Sequence, residues 1–120
     1  MITAGKGDKM SAYNDKAIEI SSKEFEETIN NETSLAVVDF YAEWCMPCLM
    51  MAPIFEDLAE KFRQIKFVKI NIDENSELAS KFNISSIPCV IVFKEGKEID
   101  RIKGALPQEI LEEKIKFHLK

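Results

Sequence analysis

The chain lacks several features that would exclude an ordinary globular protein. Its 120 residues contain no apolar run as long as a membrane span, and no apolar h-region of a secretory signal follows Met1. Acidic residues outnumber basic ones by 21 to 16, for a formal net charge of −5, and the basic residues form no stripe. We therefore expect a cytoplasmic protein that has neither a membrane nor a nucleic acid as its partner.

Cysteine and histidine are scarce. The chain has three cysteines, an odd number that fits poorly with the disulfide framework of a secreted domain, and a single histidine. A zinc site formed by Cys45, Cys48, Cys89 and His118 is one alternative. Structural zinc sites usually present closely spaced ligands in both halves, whereas Cys89 and His118 are far apart in the sequence. The sequence therefore predicts no metal site.

The hydrophobic pattern predicts one domain of alternating strands and helices. The predicted strands cover about 17–20, 35–41, 66–72, 88–93 and 98–103, and the predicted helices cover about 22–30, 46–62, 76–82 and 107–119. This order implies an α/β fold, a central mixed sheet of about five strands flanked by about four helices. Residues 1–16 are polar and aperiodic, so we expect a flexible N-terminal tail ahead of a domain at 17–120.

The sequence also gives three local predictions. In the second helix the apolar positions follow helical spacing, and Pro53 within it should produce a kink. A three-residue turn, Lys94-Glu95-Gly96, should join the last two strands as a tight hairpin. In the last helix four apolar residues should face inward: Ile110, Leu111, Ile115 and Leu119.

The segment Trp44-Cys45-Met46-Pro47-Cys48 carries the chemistry. It follows a strand and opens a helix, so the two cysteines lie one turn apart at a spacing that a disulfide tolerates. The N–H groups and partial positive charge of a helix N-terminus favour a thiolate, and Cys45 should be the more acidic and more exposed sulfur. Pro47 lacks an N–H, which is harmless in the first turn. The segment therefore predicts thiol–disulfide exchange.

An ordered set of motifs resembles the thioredoxin family over about residues 17–120. The motifs are Val38-Asp39-Phe40, the Cys45–Cys48 segment, Ala52-Pro53, Lys69-Ile70-Asn71-Ile72-Asp73, Ile87-Pro88 and Lys94-Glu95-Gly96. The resemblance implies the thioredoxin fold and the reduction of protein disulfides without a bound cofactor. It also implies a flavoprotein thioredoxin reductase as electron donor, and we expect a monomer.

Asp39 and Lys69 have two interpretations. Asp39 interrupts an apolar strand, where an unpaired charge is costly to bury. It could face the sheet edge or pair with Lys69 for structural reasons. Alternatively, it is a desolvated carboxyl with a raised pKa that accepts a proton from Cys48. The resemblance implies the second role, because both residues match the family's buried aspartate and the lysine near it.

The resemblance also implies a substrate groove around the dithiol. The family places a cis-proline opposite the cysteines, which assigns that position to Pro88, and the backbone of Ile87 could bind an extended substrate. Trp44 should form an apolar flank, and Gly104 should let the backbone approach the groove. Together, Trp44, Met46, Ile87 and Ala105 would form a patch that recognises exposed apolar segments.

Two residues depart from the family. Met46 stands where glycine is usual, and Cys89 stands where threonine is common. Cys89 is either a small buried hydrophobe or a third redox-active thiol. Two other functions stay open: a protein-disulfide oxidase or isomerase of the same fold, and a non-catalytic binding module. The reduction potential would separate reductant from oxidant.

Overall fold

The computed structural model describes residues 17–30 and 35–119, so the predicted tail at 1–16 lies outside the described residues. The elements in chain order are β1 (Ala17–Glu19), α1 (Ser22–Asn30), β2 (Leu35–Tyr41), α2 (Met46–Lys61), β3 (Lys66–Asn71), α3 (Ser76–Lys81), β4 (Cys89–Lys94), β5 (Lys97–Lys103) and α4 (Gln108–Leu119). The predicted elements are thus all present, and no end differs from its predicted position by more than one residue. Within the described ranges, no helix combines the length and apolar character that crossing a membrane requires.

A five-stranded mixed sheet forms the centre of the molecule, which confirms the predicted architecture. Its strand order is β1-β3-β2-β4-β5. The first three strands in this order are parallel, whereas β4 is antiparallel to both β2 and β5. Strand β2 therefore lies in the middle of the sheet, where both of its faces are covered.

Each face of the sheet packs against a pair of helices. On one face, Met51 and Phe55 of α2 and Leu111 of α4 pack against sheet residues that include Val37 and Phe67. On the opposite face, the side chains of α1 and α3 join a second apolar cluster around Phe40. Because side chains alternate along a strand, Val37 and Asp39 face α2 while Val38 and Phe40 face α1 and α3.

The two long helices bear out the predicted apolar pattern to different extents. In α2 the predicted residues Met51, Phe55 and Leu58 are buried. In α4 only Leu111 and Ile115 are buried, whereas Ile110 and Leu119 are exposed. The prediction that all four apolar residues of α4 face inward is therefore wrong. The helix lies on the surface of the sheet and buries a stripe of residues four apart.

The hairpin between β4 and β5 is tighter than predicted. Lys94 pairs with Lys97, so only Glu95 and Gly96 lie between the strands. Both residues have positive φ, 53° for Glu95 and 84° for Gly96. Two-residue hairpin turns with positive φ at both positions match the right-handed twist of the strands, which explains why the chain needs glycine at the second position.

Candidate active site

The cysteine pair lies at the N-terminus of α2, as predicted. The Sγ atoms of Cys45 and Cys48 are at disulfide distance, and their Cα atoms are 5.2 Å apart. Cys45 is the N-cap residue, and its sulfur accepts a hydrogen bond from the N–H of Cys48 at 3.2 Å. An N–H that points at this sulfur would stabilise a negative charge there after reduction, as helix N-termini do for thiolates.

The two cysteines differ little in exposure. Cys45 is 5% exposed and Cys48 is 3% exposed. Both pack with Ala42 in a small cluster that Tyr41 and Ile87 partly cover. The predicted difference in exposure therefore has the expected sign but is small. The helix-cap hydrogen bond, which Cys45 alone receives, distinguishes the two sulfurs more clearly.

The loop before β4 lies beside the dithiol. The peptide bond between Ile87 and Pro88 is cis, as the resemblance implied. The carbonyl oxygen of Ile87 is 3.8 Å from the Sγ atom of Cys45. Gly104, at φ 90°, donates its N–H to the carbonyl oxygen of Pro88 at 2.8 Å. This hydrogen bond holds the segment that contains Gly104 and the exposed Ala105 beside the loop.

Exposed apolar side chains surround the start of α2. Trp44 and Met46, which the sequence predicts to contact substrate, are both exposed, and Met46 is 66% exposed. The indole N–H of Trp44 donates to a carboxylate oxygen of Asp73 at 2.8 Å, which fixes the ring at the edge of the site. Leu49 and Met50 extend this apolar surface along α2, and Met50 is 71% exposed. Neither was predicted to bind substrate. Their positions outside the buried stripe of α2 are the sequence signal that could have identified them.

Asp39 is buried in the central strand. It is 2% exposed, and its Oδ1 atom has no hydrogen-bond partner among the described residues. Burial raises the pKa of Asp39 to about 7, although Lys69 lowers it. The suggestion that this carboxyl faces the sheet edge is wrong, because β2 lies at the centre. Asp39 therefore has the raised pKa that a proton acceptor needs at neutral pH.

Lys69 is the register partner of Asp39 on β3. Its Nζ atom forms an ion pair with Glu56 of α2, at 3.4 Å from the Oε2 atom. On its other side Lys69 pairs in register with Glu19 of β1, whose carboxylate accepts a hydrogen bond from Tyr41 at 2.6 Å. Burial raises the pKa of Glu19. The sequence pattern predicted roles for Asp39 and Lys69 but for neither Glu19 nor Glu56.

The other residues singled out in the sequence are two prolines of α2, the third cysteine and the histidine. Pro47 lies in the first turn of α2, and Pro53 lies inside that helix. Cys89 is buried, and this burial raises the pKa of its thiol, which favours its interpretation as a small hydrophobe. His118 lies 2.8 Å from a carboxylate oxygen of Asp100. Within residues 17–30 and 35–119, no group of three or more His, Cys, Asp or Glu side chains is arranged so that it could hold a metal ion.

Comparisons with known proteins agree with this geometry. Residues 16–117 match the family model described as thioredoxin. The chain is similar to the thioredoxin of Chlamydia pneumoniae, with 46% identity over 82% of this chain and 95% of that protein. It is similar to thioredoxin 1 of Nostoc sp., with 36% identity over 86% of this chain and 97% of the relative. The solved structure of Plasmodium falciparum thioredoxin superposes with a TM-score of 0.80 at 35% identity, and covers 85% of this chain and 99% of the other.

Proposed function

The chain belongs to the thioredoxin family and is a protein-disulfide reductase, and we propose that it acts through Cys45 as nucleophile and Cys48 as resolving thiol. The observation that carries this assignment is the N-cap position of Cys45, whose sulfur accepts a hydrogen bond from the backbone N–H of Cys48. A thiolate is the reactive form in disulfide exchange, so the sulfur that the helix end stabilises should attack first.

The first step forms a mixed disulfide. The thiolate of Cys45 attacks one sulfur of the substrate disulfide, and the substrate S–S bond breaks as a new bond to Cys45 forms. The other substrate sulfur leaves as a thiolate and takes up a proton. The apolar surface of Trp44, Met46, Leu49 and Met50 should hold the substrate in place, with Ile87, Pro88, Gly104 and Ala105 on the opposite side of the dithiol.

The second step releases the reduced substrate. Cys48 loses its proton to the carboxylate of Asp39, and its sulfur attacks Cys45. The mixed disulfide breaks, the substrate leaves as a thiolate that is then protonated, and the Cys45–Cys48 disulfide remains. Two electrons pass from the dithiol to the substrate. The raised pKa of Asp39, about 7, supports this role because such a carboxyl can take up and release a proton near neutral pH.

The family implies protein disulfides as substrates and a reductase as electron donor. We propose that this donor is a flavoprotein thioredoxin reductase and that the chain needs no cofactor of its own. We also propose that it is a monomer in the cytoplasm, with its thioredoxin domain at residues 17–120. A reducing compartment would keep Cys45 and Cys48 in the reduced dithiol form. The odd number of cysteines fits such a compartment.

Insulin reduction tests the function. With dithiothreitol as electron source, the protein should reduce the interchain disulfides of insulin, and Cys45→Ser should abolish turnover. Cys89→Ser is the matched control because Cys89 is buried outside the pair and should be dispensable. Full activity in Cys45→Ser would refute the assignment, whereas loss of activity in Cys89→Ser alone would transfer the chemistry to the third thiol.

A further inference from the structure

Three carboxyl groups lie near Lys69: the buried Asp39 and the exposed Glu19 on neighbouring strands, and Glu56 on α2. Glu19, Lys69 and Asp39 occupy matched register positions on the neighbouring strands β1, β3 and β2. Register partners on adjacent strands point to the same face of a sheet, about 4.8 Å apart. Lys69 therefore lies between two carboxyl groups of the sheet. Among the described residues, its ion pair is with Glu56 of α2 and with neither of these two.

The third carboxyl group comes from the helix above. Glu56 of α2 is 3.4 Å from Nζ of Lys69, and both side chains are largely shielded from water. Both carboxylate oxygens of Glu56 are buried and have no hydrogen-bond partner among the described residues. A buried carboxylate without hydrogen bonds depends on its ion-pair partner for stabilisation. Moving the ammonium group of Lys69 away from Glu56 would therefore leave a buried carboxylate without a partner, which is energetically unfavourable.

We propose that Glu56 is a positioning residue, which holds the ammonium group of Lys69 at α2 and so prevents it from neutralising Asp39. The proposal rests on the proposed role of Asp39 and adds a residue that controls it. Coulomb attraction falls with distance, so a lysine held at Glu56 stabilises the charge of Asp39 less than one in direct contact would. Asp39 accordingly retains a raised pKa although a lysine occupies the next strand.

Other titratable groups lie near Asp39, and a change in their charge could also alter its pKa. Lys69, Glu19 and Cys89 interact with it electrostatically. Glu56 and Cys48 lie on α2, which packs on the same face of the sheet, Cys45 caps that helix, and Tyr41 lies two residues along β2. In the oxidised protein Cys45 and Cys48 do not titrate. A titration of the oxidised form therefore isolates the carboxyl groups from the dithiol.

The experiment is an NMR titration of the Asp39 carboxyl carbon in the oxidised full-length protein. Glu56→Gln keeps the shape of the side chain and removes its charge, so Lys69 becomes free to approach Asp39. We expect the pKa of Asp39 to fall by about 1 unit, because a contacting cation lowers a carboxyl pKa by about 1–3 units. Asp57→Asn is the matched control, since Asp57 is the exposed next residue of the same helix. An unchanged or raised pKa in Glu56→Gln would overturn the proposal.

A double-mutant cycle shows whether Lys69 carries the effect. Glu56→Gln should lower the pKa of Asp39 in the wild-type background, and this shift should largely disappear in a Lys69→Gln background. A shift of equal size in both backgrounds would mean direct repulsion between the carboxylates and would refute the positioning role. Circular dichroism should show that each variant is folded.

The same variants separate this proposal from the catalytic role of Asp39. If Asp39 accepts the proton of Cys48, the acidic limb of the pH–rate profile for substrate release should move to lower pH in Glu56→Gln. A lowered Asp39 pKa with an unmoved rate profile would refute the catalytic role of Asp39 and leave the positioning by Glu56 intact. An unmoved pKa would refute the positioning alone.

Discussion

At the scale of single residues, the buried carboxyl of Asp39 links stability to catalysis. Burial raises its pKa from 3.8 to about 7. A folded state with the higher carboxyl pKa binds the proton more tightly than the unfolded chain does. The free energy of unfolding should therefore fall as pH rises from about 4 to about 7, by about 4 kcal/mol at most for a pKa shift of this size, and should remain level above that pH.

Asp39→Asn should remove this pH dependence. At about pH 8 we expect the variant to be more stable than the wild type, with a free energy of unfolding up to about 4 kcal/mol higher. At about pH 4 the two proteins should differ little in stability. The release of reduced substrate should slow in the same variant. Urea unfolding at both pH values measures the stability difference. An equal difference at both pH values would mean that Asp39 is not the group responsible.

Met46 is the other informative single residue, because it replaces the glycine that is usual in the family. Its side chain is exposed beside Cys45 and away from the core. We expect Met46→Gly to weaken substrate binding and to shift the reduction potential by less than about 30 mV, or ~1.4 kcal/mol for two electrons. Insulin-reduction kinetics and a glutathione redox titration measure the two effects. A larger shift with unchanged kinetics would show that Met46 tunes the dithiol instead.

At the scale of elements, the β4–β5 hairpin offers a matched pair of substitutions. Glu95 and Gly96 both have positive φ, which only glycine adopts without penalty. Glu95→Gly should therefore stabilise the protein by up to about 1 kcal/mol, although the greater freedom of the unfolded chain offsets part of the gain. Gly96→Ala should destabilise it by about 1 kcal/mol or more. Thermal unfolding compares the two variants, and the same sign of change in both would contradict the turn assignment.

The contact between α4 and β5 also has a defined pH dependence. Burial works against ionisation of Asp100, but hydrogen bonds from His118 and from the N–H of Arg101 prevail and lower its pKa. Because the pKa of Asp100 is lower in the folded state than in the unfolded chain, the ionised carboxylate stabilises the fold at pH values above the ordinary carboxyl pKa. This stabilisation is lost as pH falls from there through the lowered pKa of the folded state. Asp100→Asn should thus cost less than about 1 kcal/mol at neutral pH and nothing near pH 2. A cost that persists in acid would contradict this account.

The elements show where sequence patterns were sufficient. The unbroken apolar run of β2 and the spacing of Met51, Phe55 and Leu58 in α2 required only local periodicity. The inward prediction for Ile110 failed because none of the described elements covers that face of α4, and 43% of the residue is exposed. Local pattern cannot show how much of a helix its surroundings bury.

At the scale of the whole molecule, the active site is divided between what one segment encodes and what the fold assembles. The Cys45–Cys48 pair and its helix cap lie within four residues, so the sequence alone identified them. The group of Glu19, Lys69, Asp39 and Glu56 depends on strand register and on the packing of α2. Glu56 reads in the sequence as part of an ordinary solvated helix face, and no periodicity separates it from Asp57.

The most direct test of the central claim is the capture of the mixed disulfide. The Cys48→Ser protein, reduced and then mixed with insulin, should form a stable covalent adduct, and peptide mass spectrometry should place the bond at Cys45. The Cys45→Ser protein should form little or none under the same conditions, because the sulfur of Cys48 lacks the helix-cap hydrogen bond. An adduct that forms faster through Cys48 than through Cys45 would contradict the account.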